Sequence, residues 1–172
     1  ILQQDIGRAI KELIKFKSPK GRGQSYLLHL GQTEQKTAYL IDETYNANPI
    51  SMAAALRNFA QIEHKKGPRL AVLGDMLELG AESEKYHLEL LPLIAEAHLE
   101  KLILIGKNMK KLEKQAAHFT AVEWYAEYEE ALAPLLRDLT AGAIVLLKSS
   151  NSIKTHWLVE QLLAKYQFSE IG

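Results

Sequence analysis

The chain has 172 residues, of which 47% are hydrophobic and 24% charged, a composition typical of one folded domain, with room for a small appendage, rather than of a disordered segment. Lysine and arginine together number 21, as do aspartate and glutamate, which argues against bulk attraction to nucleic acid or to an anionic membrane. Cysteine is absent, which excludes disulfides, thiolate nucleophiles and zinc sites built on cysteine.

Residues 1–16 predict an amphipathic helix, because Ile6, Ile10, Leu13 and Ile14 recur at helical spacing. This segment lacks the pattern of a signal peptide, and no apolar run in the chain approaches the roughly 20 residues that span a bilayer. We therefore expect a cytoplasmic protein. The abrupt start, without an initiator methionine, suggests a fragment of a longer protein.

A break rich in turn formers, SPKGRG at 18–23, comes next. Two short apolar runs follow, SYLLHLG and KTAYLID, and the QTEQ between them favours a β-hairpin. A helix is then expected from Pro49 to about Lys66, since proline suits the first turn of a helix. Its apolar residues recur on one face: Met52, Ala55, Leu56 and Phe59.

The remainder alternates short apolar runs with helical segments. Strands are predicted at RLAVLGD, KLILIG and AIVLLK, the last being the final strand, and FTAVEWY is a further short run. Helices are expected over 82–99, up to about 117, over 127–139 and over 152–167. Pro92 should kink or restart its helix near Leu91, because proline removes a backbone hydrogen bond at a cost of about 3 kcal/mol. This alternation predicts an α/β sheet with helices on both faces.

Polar clusters follow four of the predicted strands. They run from Asp42 to Pro49, from Gly74 to Gly80, from Gly106 to Asn108 and from Lys148 to Ser152. Ligands of open α/β sheets bind beyond the carboxyl ends of the strands. The convergence of four clusters on one edge is therefore the main indication of a binding cleft.

Two interpretations are open for the first cluster. Asp42 and Glu43 could cap the following helix, and Asn46 and Asn48 could form turns through their own side chains. Alternatively, a carboxylate could accept hydrogen bonds from ribose hydroxyls, an asparagine amide could pair with an adenine edge, and Tyr45 could stack on the base.

The other clusters are equally open. Asp75 could cap a helix and Glu78 could be a solvated acid, or both could approach a Mg²⁺-bound phosphate. His87 is more often a packing or surface residue than a base or ligand at such a position. Lys148 could snorkel beside a serine-rich helix start, or the turn 149–152 could bind an anion. Neither G-x-G-x-x-G nor G-x-x-x-x-G-K-[ST] occurs, so the chain would handle only part of ATP.

Three stretches together resemble the C-terminal domain of the Mur ligases, over nearly the whole chain: IDETYNANPISM, LAVLGDMLELG with a histidine seven residues on, and VLLKSSNSIKTHWLVEQL. The YNANP block with GDMLELG is similar to the member that joins D-alanyl-D-alanine to UDP-N-acetylmuramoyl-tripeptide. The resemblance implies a three-layer α/β/α Rossmann-like domain over 24–172, a hinge at 18–23 and the tail of a central ATPase domain at 1–17.

The resemblance also implies an activity for the longer enzyme. ATP would phosphorylate the carboxylate of UDP-N-acetylmuramoyl-tripeptide, and the amine of D-alanyl-D-alanine would attack the acyl phosphate, as a step of peptidoglycan precursor synthesis. ATP and Mg²⁺ would be held mostly by the central domain. This domain would swing in, pack against the N-terminal and central domains and exclude water, and the fragment alone would be inactive. Nucleic acid and membrane are not expected as partners.

The resemblance further assigns roles by position. The residues expected to bind the nucleotide are Arg22, Asp42, Glu43, Tyr45, Asn46 and Asn48, with either acid on the ribose. Those expected to face the reacting carboxylate and the dipeptide are Lys148, Ser149, Ser150 and Asn151. Lys148 and Arg22 are expected to act in catalysis, and no residue is expected to ligate a metal.

One block departs from the family pattern, since the usual Lys-Gly-Ser-Arg-Ser is Lys-Ser-Ser-Asn-Ser at 148–152. The missing glycine could alter the turn, because only glycine adopts positive φ without cost, and the missing arginine removes a bidentate cation. A non-catalytic module of the same fold that binds a nucleotide or metabolite stays open as an alternative. A relative that ligates glutamate to folate would carry a different block from YNANP.

Overall fold

The computed structural model describes residues 20–31, 36–64 and 67–171. Within these residues seven strands form one sheet. The strands are β1 (Gln24–His29), β2 (Thr37–Glu43), β3 (Arg69–Gly74), β4 (Lys101–Ile105), β5 (Ala121–Tyr125), β6 (Ile144–Lys148) and β7 (Gln167–Ile171). Across the sheet their order is β5-β4-β3-β6-β2-β1-β7.

Six α-helices connect the strands in the described ranges. They are α1 (Pro49–Gln61), α2 (Ser83–Leu88), α3 (Leu91–Glu96), α4 (Glu113–Ala116), α5 (Leu132–Asp138) and α6 (His156–Lys165). Short 3₁₀ turns precede four of them, at Gly80–Glu82, Met109–Leu112, Tyr128–Ala131 and Asn151–Ile153.

Five neighbouring strands, β5, β4, β3, β6 and β2, run parallel. Strand β1 pairs antiparallel with β2, which confirms the predicted hairpin, and β7 pairs antiparallel with β1. The expected turn at 32–35 and the expected helix over 1–16 lie outside the described residues. Strand β6 lies between β2 and β3, so it joins the hairpin to the rest of the parallel sheet.

The core consists of two apolar layers, one on each face of the sheet. On β3, for example, Ala71 and Leu73 belong to the layer covered by α1 to α4, whereas Leu70 and Val72 belong to the layer covered by α5 and α6. This alternation follows from the two-residue period of a strand. The three-layer α/β/α Rossmann-like architecture with a mostly parallel sheet is therefore confirmed.

Helix α1 ends where Arg69 binds its last carbonyls. The buried guanidinium of Arg69 donates hydrogen bonds to the carbonyl oxygens of Phe59, of Ile62 at 3.1 Å and of Ala97 at 3.0 Å. Carbonyls at a helix C-terminus carry a partial negative charge, which a cation stabilises. The expectation that this helix continues to about Lys66 is wrong.

The segment 82–99 forms two helices rather than one. Helix α3 begins at Leu91 with Pro92 in its first turn. Backbone N–H groups in the first turn have no partner within the helix, so proline costs no hydrogen bond there. The predicted restart near Leu91 is confirmed. The helix then ends at Glu96, and His98 adopts a positive φ of 48°.

The C-terminal end of the chain differs from the sequence-based expectation. The helix expected over 152–167 begins only at His156, because Lys154 adopts a left-handed φ of 60° after the 3₁₀ turn. The expectation that AIVLLK is the final strand is wrong, since β7 follows and lies at the edge of the sheet. All residues of β7 are exposed, so it lacks the apolar run by which the other strands were predicted.

Candidate functional site

The carboxyl ends of β2, β6, β3 and β4 lie side by side, because these strands are parallel and adjacent. Lys148 at the end of β6 is level with Glu43 on β2 and with Leu73 on β3. The prediction that four polar clusters share one edge is confirmed. The order of the strands puts the cluster 148–152 between the clusters 42–49 and 74–80.

Asp42 and Glu43 point to opposite faces of the sheet, because successive side chains of a strand alternate. Asp42 is buried, and its Oδ1 accepts hydrogen bonds from the N–H of Thr44 at 3.0 Å and from the Thr44 hydroxyl at 2.6 Å. Glu43 Oε2 lies 3.4 Å from the ammonium of Lys148. Neither acid caps α1, since Asn48 occupies that position. The interpretation of this pair as helix caps is wrong.

The two asparagines of YNANP shape the backbone. Asn48 is the N-cap of α1: its Oδ1 accepts from the N–H of Ser51 at 2.8 Å, and Ser51 Oγ accepts from the N–H of Asn48 at 3.0 Å. The Oδ1 of Asn46 accepts from the N–H of Ala47 at 2.9 Å. Both asparagines are exposed, and their amide NH₂ groups have no partner among the described residues, so those groups are available to a ligand.

Tyr45 and Arg22 form the outer wall of this edge. The Tyr45 side chain is 45% exposed, and the guanidinium carbon of Arg22 lies 3.9 Å from the centre of its ring, a cation–π contact. The N–H of Tyr45 donates to the carbonyl of Gly21 at 2.9 Å. This backbone bond brings the segment that carries Arg22 to the cleft.

Lys148 is buried beneath the edge, with a relative exposure of 2%. Its Nζ donates to the carbonyl of Asn46 at 3.1 Å and lies 3.4 Å from Glu43 Oε2. The snorkelling interpretation of this lysine is wrong, because the ammonium contacts protein groups rather than bulk water. It holds the loop after β2 against the end of β6.

Ser150 links three of the polar clusters. Its N–H donates to the carbonyl of Asp75 at 3.1 Å, its Oγ donates to the carbonyl of Ala47 at 3.2 Å, and the same Oγ accepts from the N–H of Leu77 at 2.9 Å. A hydroxyl has one proton to donate, and here Ala47 receives it. Ser150 therefore fixes the relative positions of the loops that border the cleft.

Ser149 occupies a position where the family pattern has glycine. Its φ is not positive, so serine imposes no backbone strain there. A Cβ on Gly74 would lie 2.6 Å from the Cβ of Ser149, and the Ser149 hydroxyl lies 2.5 Å from that of Thr155. The serine fits because position 74 has no side chain, and its hydroxyl is paired. The missing glycine therefore does not force a different turn.

Asp75 organises the turn after β4. Its carboxylate accepts hydrogen bonds from the N–H of Met109 at 2.8 Å and from the N–H of Asn108 at 3.1 Å. A Cβ on Gly106 would lie 2.6 Å from the carboxyl carbon of Asp75, so only glycine permits this approach. Asp75 thus caps the helical turn of a neighbouring loop.

His87 is a packing residue in the described structure. It is fully buried, its Nε2 accepts from the N–H of Met76 at 3.0 Å, and its Nδ1 donates to the carbonyl of Ser83 at 2.6 Å. These two partners place the proton on Nδ1 and engage both ring nitrogens. The interpretation of His87 as a packing residue is thus supported.

Two cavities open on this edge, and Tyr45 and Asn151 line both of them. The first has a volume of about 360 Å³ and is lined by Lys20, Tyr26, Asp42, His156, Val159 and Leu163, among others. The second has a volume of about 410 Å³ and is lined by Asn46, Asn48, Leu77, Glu78, Ser150 and Ser152, among others. Six of the predicted site residues line one or both of these spaces, whereas four line neither: Arg22, Glu43, Lys148 and Ser149.

Lys20, Tyr26 and His156 line the first cavity but were not selected from the sequence. Tyr26 donates its hydroxyl proton to Gln24 Oε1 at 3.1 Å, and burial, followed by the charge of Asp42, raises the pKa of Tyr26. The signal for Tyr26 was its inward position on β1. His156 could have been selected because it lies one helical turn after Ser152. It was overlooked because the last helix was expected to begin at Ser152.

No helix within the described ranges is long and apolar enough to cross a membrane. In the same part of the chain, no three histidine, aspartate or glutamate side chains converge as metal ligands would.

Residues 30–151 match the family model described as Mur ligase, glutamate ligase domain. Among curated proteins, the UDP-N-acetylmuramoyl-tripeptide--D-alanyl-D-alanine ligase of Rickettsia prowazekii is 28% identical over 160 residues, which are 93% of this chain and 34% of that protein. The ligase of the same name from Escherichia coli is 41% identical over 126 residues, 72% of this chain and 26% of that protein. The chain thus spans about a third or less of the length of these relatives.

Solved structures agree with the family match. MurF from Acinetobacter baumannii superposes with a TM-score of 0.72 at 27% identity, covering 94% of this chain and 34% of that one. MurF ligase from Thermotoga maritima, solved in complex with ADP, has a TM-score of 0.63 at 20% identity and covers 93% and 36% of the two chains. The second likeness shows the fold alone.

Proposed function

The chain belongs to the Mur ligase family, and from that premise we propose that it is the C-terminal domain of an ATP-dependent ligase that joins D-alanyl-D-alanine to UDP-N-acetylmuramoyl-tripeptide. Relatives about three times longer support this view. In the proposed enzyme, residues 1–17 end a central ATPase domain, 18–23 form the hinge, and 24–172 form this domain. We place this enzyme in the cytoplasm.

The observation that carries the proposal is the pair of cavities at the carboxyl edge. Two adjacent spaces, of about 360 and 410 Å³, share the walls Tyr45 and Asn151. A ligase of this kind must bring a nucleotide and an amine to one carboxylate, so neighbouring sites on one edge suit it. A wall common to both spaces keeps the two ligands close without overlap.

The first cavity suits the nucleoside of ATP. Its walls combine apolar surface from Val159 and Leu163 with the carboxylate of Asp42, which can accept hydrogen bonds from ribose hydroxyls. Tyr45 offers an exposed aromatic face for the base. Arg22, which rests on that ring, is within reach of phosphates attached to the same nucleoside.

The second cavity suits the peptide end of the reaction. Asn46 and Asn48, which the resemblance assigns to the nucleotide, line this cavity and not the first, and Asn151 lines both. Ser150 lines this cavity, and its hydroxyl has partners within the domain, so it would contribute through the backbone. In this arrangement Ser150 and Asn151 face the reacting carboxylate, and the buried Lys148 and Ser149 lie behind them.

The reaction consists of two transfers. The carboxylate oxygen of the tripeptide attacks the γ-phosphorus of ATP, ADP leaves, and an acyl phosphate forms. The amine of D-alanyl-D-alanine then attacks the acyl carbon, loses a proton, and phosphate leaves as the amide forms. Arg22 would offset phosphate charge, and Lys148 would order the loop that contacts both ligands. The resemblance to the family implies that Mg²⁺ would be held mostly by the central domain.

A comparison of two tyrosines on β2 and its following loop tests the nucleotide site. In the full-length protein, Tyr45→Ala should raise the KM for ATP about tenfold, since stacking of a base on an aromatic ring contributes roughly 1–3 kcal/mol. The KM for D-alanyl-D-alanine should rise less. Tyr39→Ala is the matched control, because Tyr39 is 37% exposed but lies at the opposite end of β2.

Two results would count against the proposal. A full-length wild type that binds ATP but forms no pentapeptide product would favour a non-catalytic nucleotide-binding module, which the absence of a phosphate-binding loop from this chain also permits. An unchanged KM for ATP in Tyr45→Ala would mean that the first cavity is not part of the nucleotide site.

A further inference from the structure

Glu78 differs from the acids that end β2 or directly follow β3. Asp42, Glu43 and Asp75 each accept hydrogen bonds from neighbouring groups of the domain. Glu78 is exposed and has neither a hydrogen-bond nor an ion-pair partner among the described residues. Its carboxylate is therefore the one negative charge in the described lining of the second cavity, and it has no partner there, as Glu160 has none in the first cavity.

The loop holds Glu78 in a constrained position. Its φ is 61°, in the left-handed region that residues other than glycine rarely adopt. The preceding N–H, that of Leu77, donates to Ser150 Oγ at 2.9 Å and so ties the loop to the end of β6. Backbone strain that the surroundings maintain is concentrated at ligand sites. Here it fixes a carboxylate at the wall of the second cavity.

The second cavity has a distinct chemical character. Its described lining contains amides, hydroxyls, short apolar side chains, the Tyr45 ring and one carboxylate, but no lysine, arginine or histidine. A lining with one carboxylate and no cationic side chain favours a ligand group that carries a positive charge, although Lys148 and Arg22 each contact a lining residue from outside the cavity. Its volume of about 410 Å³ suits a ligand of dipeptide size rather than a bare ion.

We propose that Glu78 binds the ammonium group of the incoming dipeptide, D-alanyl-D-alanine, in the second cavity. The assignment rests on the proposed function. ATP and the UDP-linked tripeptide each carry several negative charges, which Glu78 would repel, whereas the dipeptide is a small zwitterion. A charge-assisted bond from ammonium to carboxylate would hold the dipeptide beside Ser150 and Asn151 until its nitrogen releases a proton to solvent and attacks as the free amine.

The test is Glu78→Gln in the full-length enzyme, with Glu96→Gln as the matched control. Glu96 is an exposed acid on α3, outside both cavities. Removing a charge-assisted bond should raise the KM for D-alanyl-D-alanine about tenfold in Glu78→Gln, with the KM for ATP unchanged within twofold. In equilibrium binding to the wild type without ATP, N-acetyl-D-alanyl-D-alanine, which lacks the ammonium, should bind more weakly than D-alanyl-D-alanine, which has the same carboxyl end. Glu78→Gln should lose that preference.

Each other outcome has a definite meaning. An active wild type whose Glu78→Gln variant keeps the KM for the dipeptide, or keeps the preference for the free amine, overturns the assignment alone. A rise confined to the KM for the UDP-linked tripeptide also overturns it. A wild type without turnover overturns the proposed function and the assignment with it.

Discussion

Replacing Lys148 by methionine should destabilise the domain by about 2–3 kcal/mol. Its ammonium lies 3.4 Å from Glu43 Oε2, where two unit charges attract by about 5 kcal/mol at an effective dielectric constant of 20. The Glu43 side chain is 32% exposed, so solvent screening reduces that attraction to about 1–2 kcal/mol. The hydrogen bond to the Asn46 carbonyl adds about 1 kcal/mol.

The assay is urea unfolding of the 172-residue chain at pH 7, for wild type, Lys148→Met, Glu43→Gln and the double variant. Glu43→Gln should cost at least as much as Lys148→Met, because it leaves a buried ammonium without a carboxylate. The double variant should cost less than the sum of the two. Lys114→Met, at an exposed lysine of α4, is the control and should change the unfolding free energy by less than about 0.5 kcal/mol.

Two results would refute this reasoning. A Lys148→Met variant as stable as the control would mean that the buried contacts of Lys148 contribute nothing net. Additive single variants would mean that Lys148 and Glu43 do not interact. If Lys148→Met is destabilised as expected, a loss of ligase activity could come from displacement of the loop. Activity should therefore be measured well below the midpoint temperature of unfolding.

Two further predictions concern stability away from the cleft. Arg69→Lys should lower the urea-unfolding free energy by about 2 kcal/mol, since one ammonium cannot reach the three carbonyls that the guanidinium contacts; a loss below about 0.5 kcal/mol would contradict this. Hydrogen bonds from Lys101 and, to a smaller extent, from Tyr125 lower the pKa of Glu123 from 4.5 to about 2. The contribution of ionised Glu123 to the free energy of unfolding is therefore complete above pH 4.5 and is lost as the pH falls through 2. The Glu123 side chain is 28% exposed, so we expect about 1 kcal/mol after screening, and Glu123→Gln should flatten stability measured between pH 5 and pH 2.

The layered fold could be predicted because its signals are local. Apolar strands such as RLAVLG are buried on both faces, and such runs stand out from the helices between them. Strand β7 could not be predicted in this way. Its residues are all exposed, and its partner β1 lies more than a hundred residues earlier in the chain. Pairing, not composition, makes it a strand.

The place of the site could be predicted, but not the contacts within it. Because parallel strands end at the same edge of a sheet, the four polar clusters share that edge whichever contacts their side chains make. The partners of Ser150 are 73 and 103 residues away in sequence, and the burial of Lys148 depends on a loop that folds over it. Such contacts follow from three-dimensional packing, so residue types alone left open whether Lys148 snorkels or the turn 149–152 binds an anion, and did not predict that Lys148 is buried.

Strand β6 is synthesised after β1 to β5, yet it lies between β2 and β3 in the finished sheet. Until residues 144–148 have left the ribosome, the hairpin and the β3-β4-β5 unit have no strand to join them, and each exposes an unpaired edge. The domain is thus expected to gain its cooperative stability late in translation. A nascent chain halted before Ile144 would expose two partial sheets with unpaired edge strands, which chaperones and proteases can bind.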